Sequence, residues 1–199
     1  MKFILLTLFS LLVLALALLF YSEDYSMIVG GAGLHLALFF VSLHFLWKKD
    51  IPTTLKSLQF PGSIVKNLLF SIMGLGTIFV TLLIAGLILT AAGLNDQQNV
   101  LDKITDLPVF LLVFAVIAAP ISEEMFFRAL LVPRIGVIPS SIAFGLVHFS
   151  YGSIVEIVGA FLIGIIFAVM YKKSKSITPS LVTHIIYNLL AITFVLLIS

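Results

Sequence analysis

The stretch Leu107-Pro-Val-Phe-Leu-Leu-Val-Phe-Ala-Val-Ile-Ala-Ala-Pro120-Ile-Ser-Glu-Glu-Met-Phe-Phe-Arg128-Ala-Leu-Leu-Val132 decides how this chain is read. It is long and apolar enough to cross a bilayer, since about 20 helical residues at about 1.5 Å each span about 30 Å of hydrocarbon. Yet it carries Glu123, Glu124 and Arg128. A charge at membrane depth costs roughly 2.5–3.5 kcal/mol on insertion scales. Two adjacent carboxylates there point to a site in use. Pro120 lies within the same segment, where it frees a backbone carbonyl one turn before the glutamates and is expected to kink the helix.

Outward from this segment the chain keeps the same character. Of its 199 residues, 61% are hydrophobic and 10% charged, far from a soluble domain. We expect an all-α, polytopic transmembrane bundle of about seven spans near 3–21, 27–47, 68–93, 107–132, 139–151, 154–171 and 177–198, forming one membrane domain over 1–199. The fifth span is too short to cross alone. The first, though preceded by Lys2, is longer than a signal-peptide core and lacks a cleavage site, so it reads as a retained helix. Cysteine is absent, which excludes disulfides, thiolate metal sites and a cysteine nucleophile. Nothing in the composition calls for nucleic acid.

Charge alternates from loop to loop. Lys2, then Lys48, Lys49, Lys56 and Lys66, then Arg134, then Lys172, Lys173 and Lys175 fall in every second connection. The others hold Glu23 and Asp24, then Asp96, Asp102, Lys103 and Asp106. The positive-inside rule puts the N-terminus in the cytoplasm and the C-terminus outside. Leu55–Val65 and Asn95–Asp106 read as surface helices on the inner and outer faces. Small residues at Gly30/Gly31/Gly33, Gly74/Gly76 and Ala160/Gly164/Ala168 suit close helix packing in lipid.

Two more spans repeat the pattern of polar groups at helical spacing: Phe144 with His148, and His184 with Asn188. Residues four apart share a helix face, so Glu124 can pair with Arg128 while Glu123 points elsewhere. Counted from the expected cytoplasmic ends, Glu123, His148 and His184 lie at a similar depth, roughly 10–14 Å in. A carboxylate and an imidazole can share a water and remove its proton. Asn188 and a donor tautomer of His184 can donate to a developing oxyanion. Those are the parts of an amide hydrolase. No His-Glu-x-x-His or Gly-x-Ser-x-Gly appears, and every aspartate falls in a loop or at a span edge. Zinc stays open, with Glu123, His148 and His184 as its ligands, although no standard zinc spacing is present. His35 and His44, on opposite faces of one span, read as structural, and Glu156 as solvated near the outer end of the sixth.

The elements Glu123-Glu124-x-x-x-Arg128, Phe144-x-x-x-His148 and His184-x-x-x-Asn188 together resemble the CPBP or Abi family, which holds type II CAAX prenyl endopeptidases and bacteriocin-processing or bacteriocin-immunity membrane proteins. The resemblance covers roughly residues 107–195. It implies a catalytic core there with a cavity open to cytoplasm and lipid, in the plasma membrane of a prokaryote. It also implies a membrane-embedded or lipid-modified peptide substrate, water activated by Glu123 and His148, and an oxyanion held by His184 and Asn188. Glu124 and Arg128 would support the site, with no cofactor required. The short connection Val132-Pro-Arg-Ile-Gly-Val-Ile138 departs from the family pattern. A non-catalytic immunity or regulatory protein on the same scaffold is the alternative, and a proton-coupled transporter a third reading.

Overall fold

The computed structural model describes residues 26–47 and 63–199. Among the described residues every regular element is helical: α1 (Ser26–Leu46), α2 (Ile64–Ala91), α3 (Gln98–Thr105), α4 (Val109–Ile135), α5 (Val137–Tyr151), α6 (Ile154–Ser174) and α7 (Thr178–Ile198). Four of them, α2, α4, α6 and α7, are long and apolar enough to cross a membrane. The expected span 3–21 and nearly all of the surface stretch Leu55–Val65 lie outside the described residues.

Helix ends follow from local chemistry. Ser153 caps α6 by accepting from the Glu156 amide at 3.1 Å. Asp96 joins it, accepting from Ser153 Oγ at 2.7 Å and from the amides of Ile154 and Val155 at 2.6 and 3.1 Å. A carboxylate on orphan amides at a helix N-terminus is favoured by both hydrogen bonding and the helix dipole. Pro108 precedes α4 and Pro179 opens α7, positions where the missing N–H costs nothing. Between α4 and α5 the chain reverses at Gly136, whose φ of 89° suits glycine. That single residue makes the short connection feasible.

Asp96, together with hydrogen bonds from Asn99 Nδ2 to the Gly152 carbonyl (2.8 Å) and from Lys103 Nζ to the Ser150 carbonyl, ties α3 across the N-terminus of α6 and the end of α5. This defines one end of the bundle. The other end holds Lys66, Arg134, Lys172 and Lys173 at the matching helix termini. It is closed by a core of Met125, Ala129, Val132, Ala168, Tyr171 and Ile177.

Close packing rests on some of the expected small residues and not others. A Cβ on Gly164 would meet Phe144 Cδ1 and Ser141 Cβ, each at 3.2 Å, and one on Gly74 would meet Met170 at 2.5 Å. Gly145, not singled out from sequence, is tighter against backbone, at 2.9 Å from the Ile157 carbonyl oxygen. Gly30, Gly31 and Gly76 have open space instead. Gly145 and Gly164 both lie in the α5–α6 contact, which carries Phe144 and His148.

Candidate active site

The glutamates sit where α4 changes its winding. Up to Glu123 the helix is α; from Glu124 to Leu131 it is a π-helix, whose wider turn ends with the Val132 amide bonded to the Phe127 carbonyl, five residues back. Such segments are rare and concentrate at functional sites. Pro120 just before it removes one helical donor and so loosens the turn that precedes the change.

On a regular helix Glu123 and Glu124 would point about 100° apart. Here both reach the same imidazole. His184 Nδ1 lies 3.2 Å from Glu124 Oε1, and His184 Nε2 lies 3.6 Å from Glu123 Oε2. The ring is held between Phe167, at a centroid distance of 4.9 Å, and Phe144, at 6.0 Å. Glu124 is fully buried and also faces Arg128, with Nε 3.4 Å from Oε1. Arg128 is equally buried, and its guanidinium nitrogens make no hydrogen bond among the described residues. Aromatic faces surround it instead: Phe144 at 4.2 Å, Phe167 at 5.2 Å and Phe127 at 5.8 Å. Cation–π attraction of this kind is worth about 2 kcal/mol or more when desolvated.

Glu123 is the member that meets open space. It lies at the floor of a cavity of about 860 Å³, lined also by His35, Phe144, His148, Glu156, His184 and Asn188. His148 donates its Nδ1 hydrogen to the Phe144 carbonyl at 2.8 Å, because a carbonyl can only accept. In the neutral ring Nε2 is then an unprotonated acceptor. His148 shares the cavity with Glu123 without pairing with it directly. Asn188 Nδ2 donates one hydrogen to the Ala115 carbonyl at 2.9 Å and retains a second. Glu123, His148, His184 and Asn188 thus surround one chamber, while Glu124 and Arg128 stand behind it.

Two residues enter that sequence reasoning left aside. His35, expected to be structural, has Nδ1 2.9 Å from Ser122 Oγ and 3.6 Å from Glu123 Oε1. Ser122 spends its own hydrogen on the Ala119 carbonyl at 2.8 Å, so His35 Nδ1 is the donor and its hydrogen faces both oxygens. His35 is near the midpoint of α1, deeper than the other three, and a polar ring at membrane depth is the signal that could have found it. Glu156, expected to be solvated, is half-buried and lines the cavity. It was missed because a residue four positions past a turn looks interfacial, whereas α3 lies over this end.

Among the described residues no three His, Asp or Glu side chains are grouped closely enough to hold a metal ion. Glu123 and His184 are also turned toward partners in the ion-pair network.

No curated protein and no solved structure matches the chain. Residues 105–190 match the family model described as Rce1-like, type II CAAX prenyl endopeptidase. That region contains the glutamate pair, both polar helix pairs and the π-helical turn, and over it the chain is similar to the Rce1-like type II CAAX prenyl endopeptidases.

Proposed function

We propose that the chain is an intramembrane endopeptidase that hydrolyses a peptide bond of a membrane-associated substrate with water activated by Glu123 and His148. The family supplies the general activity. The observation that carries the residue assignment is Glu123 at the floor of a chamber shared with His148, His184 and Asn188. Glu123 or His148 Nε2 takes a proton from water, and the hydroxide adds to the scissile carbonyl carbon. The resulting oxyanion accepts a hydrogen bond from the second hydrogen of Asn188 Nδ2 and one from His184 Nε2 in its doubly protonated ring, whose other hydrogen goes from Nδ1 to Glu124. The proton then passes to the leaving nitrogen as the C–N bond breaks, so that water is divided between an acid and an amine. Glu124 and Arg128 hold His184 from behind. No metal is required, and cleavage is expected to survive chelators. The molecule is an integral membrane protein of a prokaryotic plasma membrane, with about seven spans and the N-terminus in the cytoplasm.

The test compares membrane peptides in cells lacking the protein, rescued with wild type, Glu123→Gln or His148→Ala. Substrates should accumulate with both variants; full processing by both would remove the mechanism. The second reading, a non-catalytic immunity or regulatory scaffold, draws on the backbone hydrogen bonds that occupy His148 and Asn188. It predicts that Glu123→Gln leaves the cellular phenotype intact.

A further inference from the structure

Two residues beyond the glutamates account for the winding that aims them. Pro133 follows the π-helical turn and is exposed. It has no amide hydrogen for the Ala129 carbonyl four residues back, and in a regular α-helix its ring would press on that carbonyl. A turn closed five residues back accommodates both effects, and the last such closure runs from the Val132 amide to the Phe127 carbonyl. That carbonyl takes a second donor. Ser140, near the start of α5 and 1% exposed, gives its hydroxyl hydrogen to the Phe127 oxygen at 2.8 Å. A carbonyl has two lone pairs, so both bonds form together. Arg134 Nη1 likewise donates to the Leu130 carbonyl at 2.6 Å. Side chains from past the turn thus cover the carbonyls at its exit.

The exit is also where α4 is held fast. The Phe127 ring packs on Phe144 at a centroid distance of 5.1 Å, and both belong to a buried cluster with Leu38 and Ala160. From that fixed point back to Glu124 and Glu123, the direction of each side chain depends on the winding between. An α-helix advances about 100° per residue. A wider turn advances less, and the difference accumulates over every residue crossed. Regular winding with Phe127 in place would swing both carboxylates round the axis, away from the ring they share. We infer that Pro133 and Ser140 are positioning residues for the reaction. Pro133 excludes regular winding, Ser140 fastens the wide turn, and together they keep Glu123 and Glu124 on His184. The consequence for catalysis rests on the peptidase reading; the consequence for geometry does not.

The neighbouring serine supplies the control. Ser141 is equally buried, but its hydroxyl bonds the Val137 carbonyl within α5 at 2.8 Å. Ser141→Ala therefore removes a similar hydrogen bond and leaves the turn alone. The chain has four histidines, so nitrogen NMR of the detergent-solubilised protein with labelled histidine reads four rings. His184 is identified by its loss in His184→Gln, and its Nδ1 resonance reports the hydrogen bond to Glu124. Ser140→Ala should shift that resonance and Ser141→Ala should not. Pro133→Ala restores a backbone donor at an exposed position and should shift it as well. Processing of membrane peptides in rescued cells should fall by up to about 10²-fold with Ser140→Ala or Pro133→Ala, and stay at the wild-type level with Ser141→Ala. An unchanged His184 resonance overturns the role of whichever residue was replaced, and an equal shift in Ser141→Ala overturns the inference. The spectrum needs no catalysis. A shifted resonance beside full processing by Glu123→Gln sinks the peptidase and spares the winding; an unshifted one beside Glu123-dependent processing does the reverse.

Discussion

Glu123 Oε2 stands 3.6 Å from His184 Nε2 while the next residue, Glu124, holds the opposite nitrogen of the same ring at 3.2 Å. One imidazole thus separates a carboxylate that borders the chamber from one that is sealed in protein. The two glutamates should fail differently when altered.

Replacing Glu123 by Gln removes the proton acceptor and keeps the shape. Processing should fall by about 10²–10⁴, with the melting temperature of the detergent-solubilised protein little changed. Both are measured on the same preparation.

Glu124→Gln leaves Arg128 as a buried charge without its ion partner. Breaking a buried pair by removing one member costs about 3–5 kcal/mol, so this variant should melt well below wild type. The double variant Glu124→Gln/Arg128→Met should recover much of the loss, because the stranded cation is gone. Thermal unfolding of wild type, Glu124→Gln, Arg128→Met and the double variant checks the non-additivity.

His35→Ala frees Glu123 Oε1 on the side away from His184. A misplaced reacting group can cost up to about 10²-fold, and the loss should appear in kcat with KM close to wild type. A purely structural His35 would instead lower the melting temperature and leave kcat in place.

Asp96 accepts from Ser153 and from the amides that open α6, and those hydrogen bonds hold its carboxyl below its ordinary value of 3.8. The native state therefore binds this proton less readily than the unfolded chain. Its stabilising contribution is complete above the ordinary carboxylate range and is lost as pH falls through the lower native value. Asp96→Asn should flatten this acid limb of melting temperature against pH, and lower stability at neutral pH.

Gly145→Val places a side chain where a Cβ already lies 2.9 Å from the Ile157 carbonyl oxygen. Separation of α5 from α6 would carry Phe144 and His148 out of the chamber. Activity should drop more than for Gly76→Val, which has open space.

Much of this arrangement was legible because lipid makes polar groups conspicuous. The hydropathy of α2, α4, α6 and α7 reads directly as helices, and Glu123, His148 and His184 stand out at a similar depth, with Asn188 one turn on from His184. Asp96 reads as a loop acid, but its capping of α6 requires knowing which loop lies against which helix terminus. The winding change after Glu123 was illegible for a related reason: i, i+4 spacing presumes an α-helix, and a sequence window does not reveal a turn closed five residues back. His35 reads as structural because opposition to His44 on one helix says nothing about which of the two faces the bundle.

The short helix over the chamber is anchored to Ser150 and Gly152, and Ser150 is only two residues from His148. Any displacement of that helix must tug on the backbone that sets the imidazole's posture, so the seat of α3 and the aim of His148 stand or fall together.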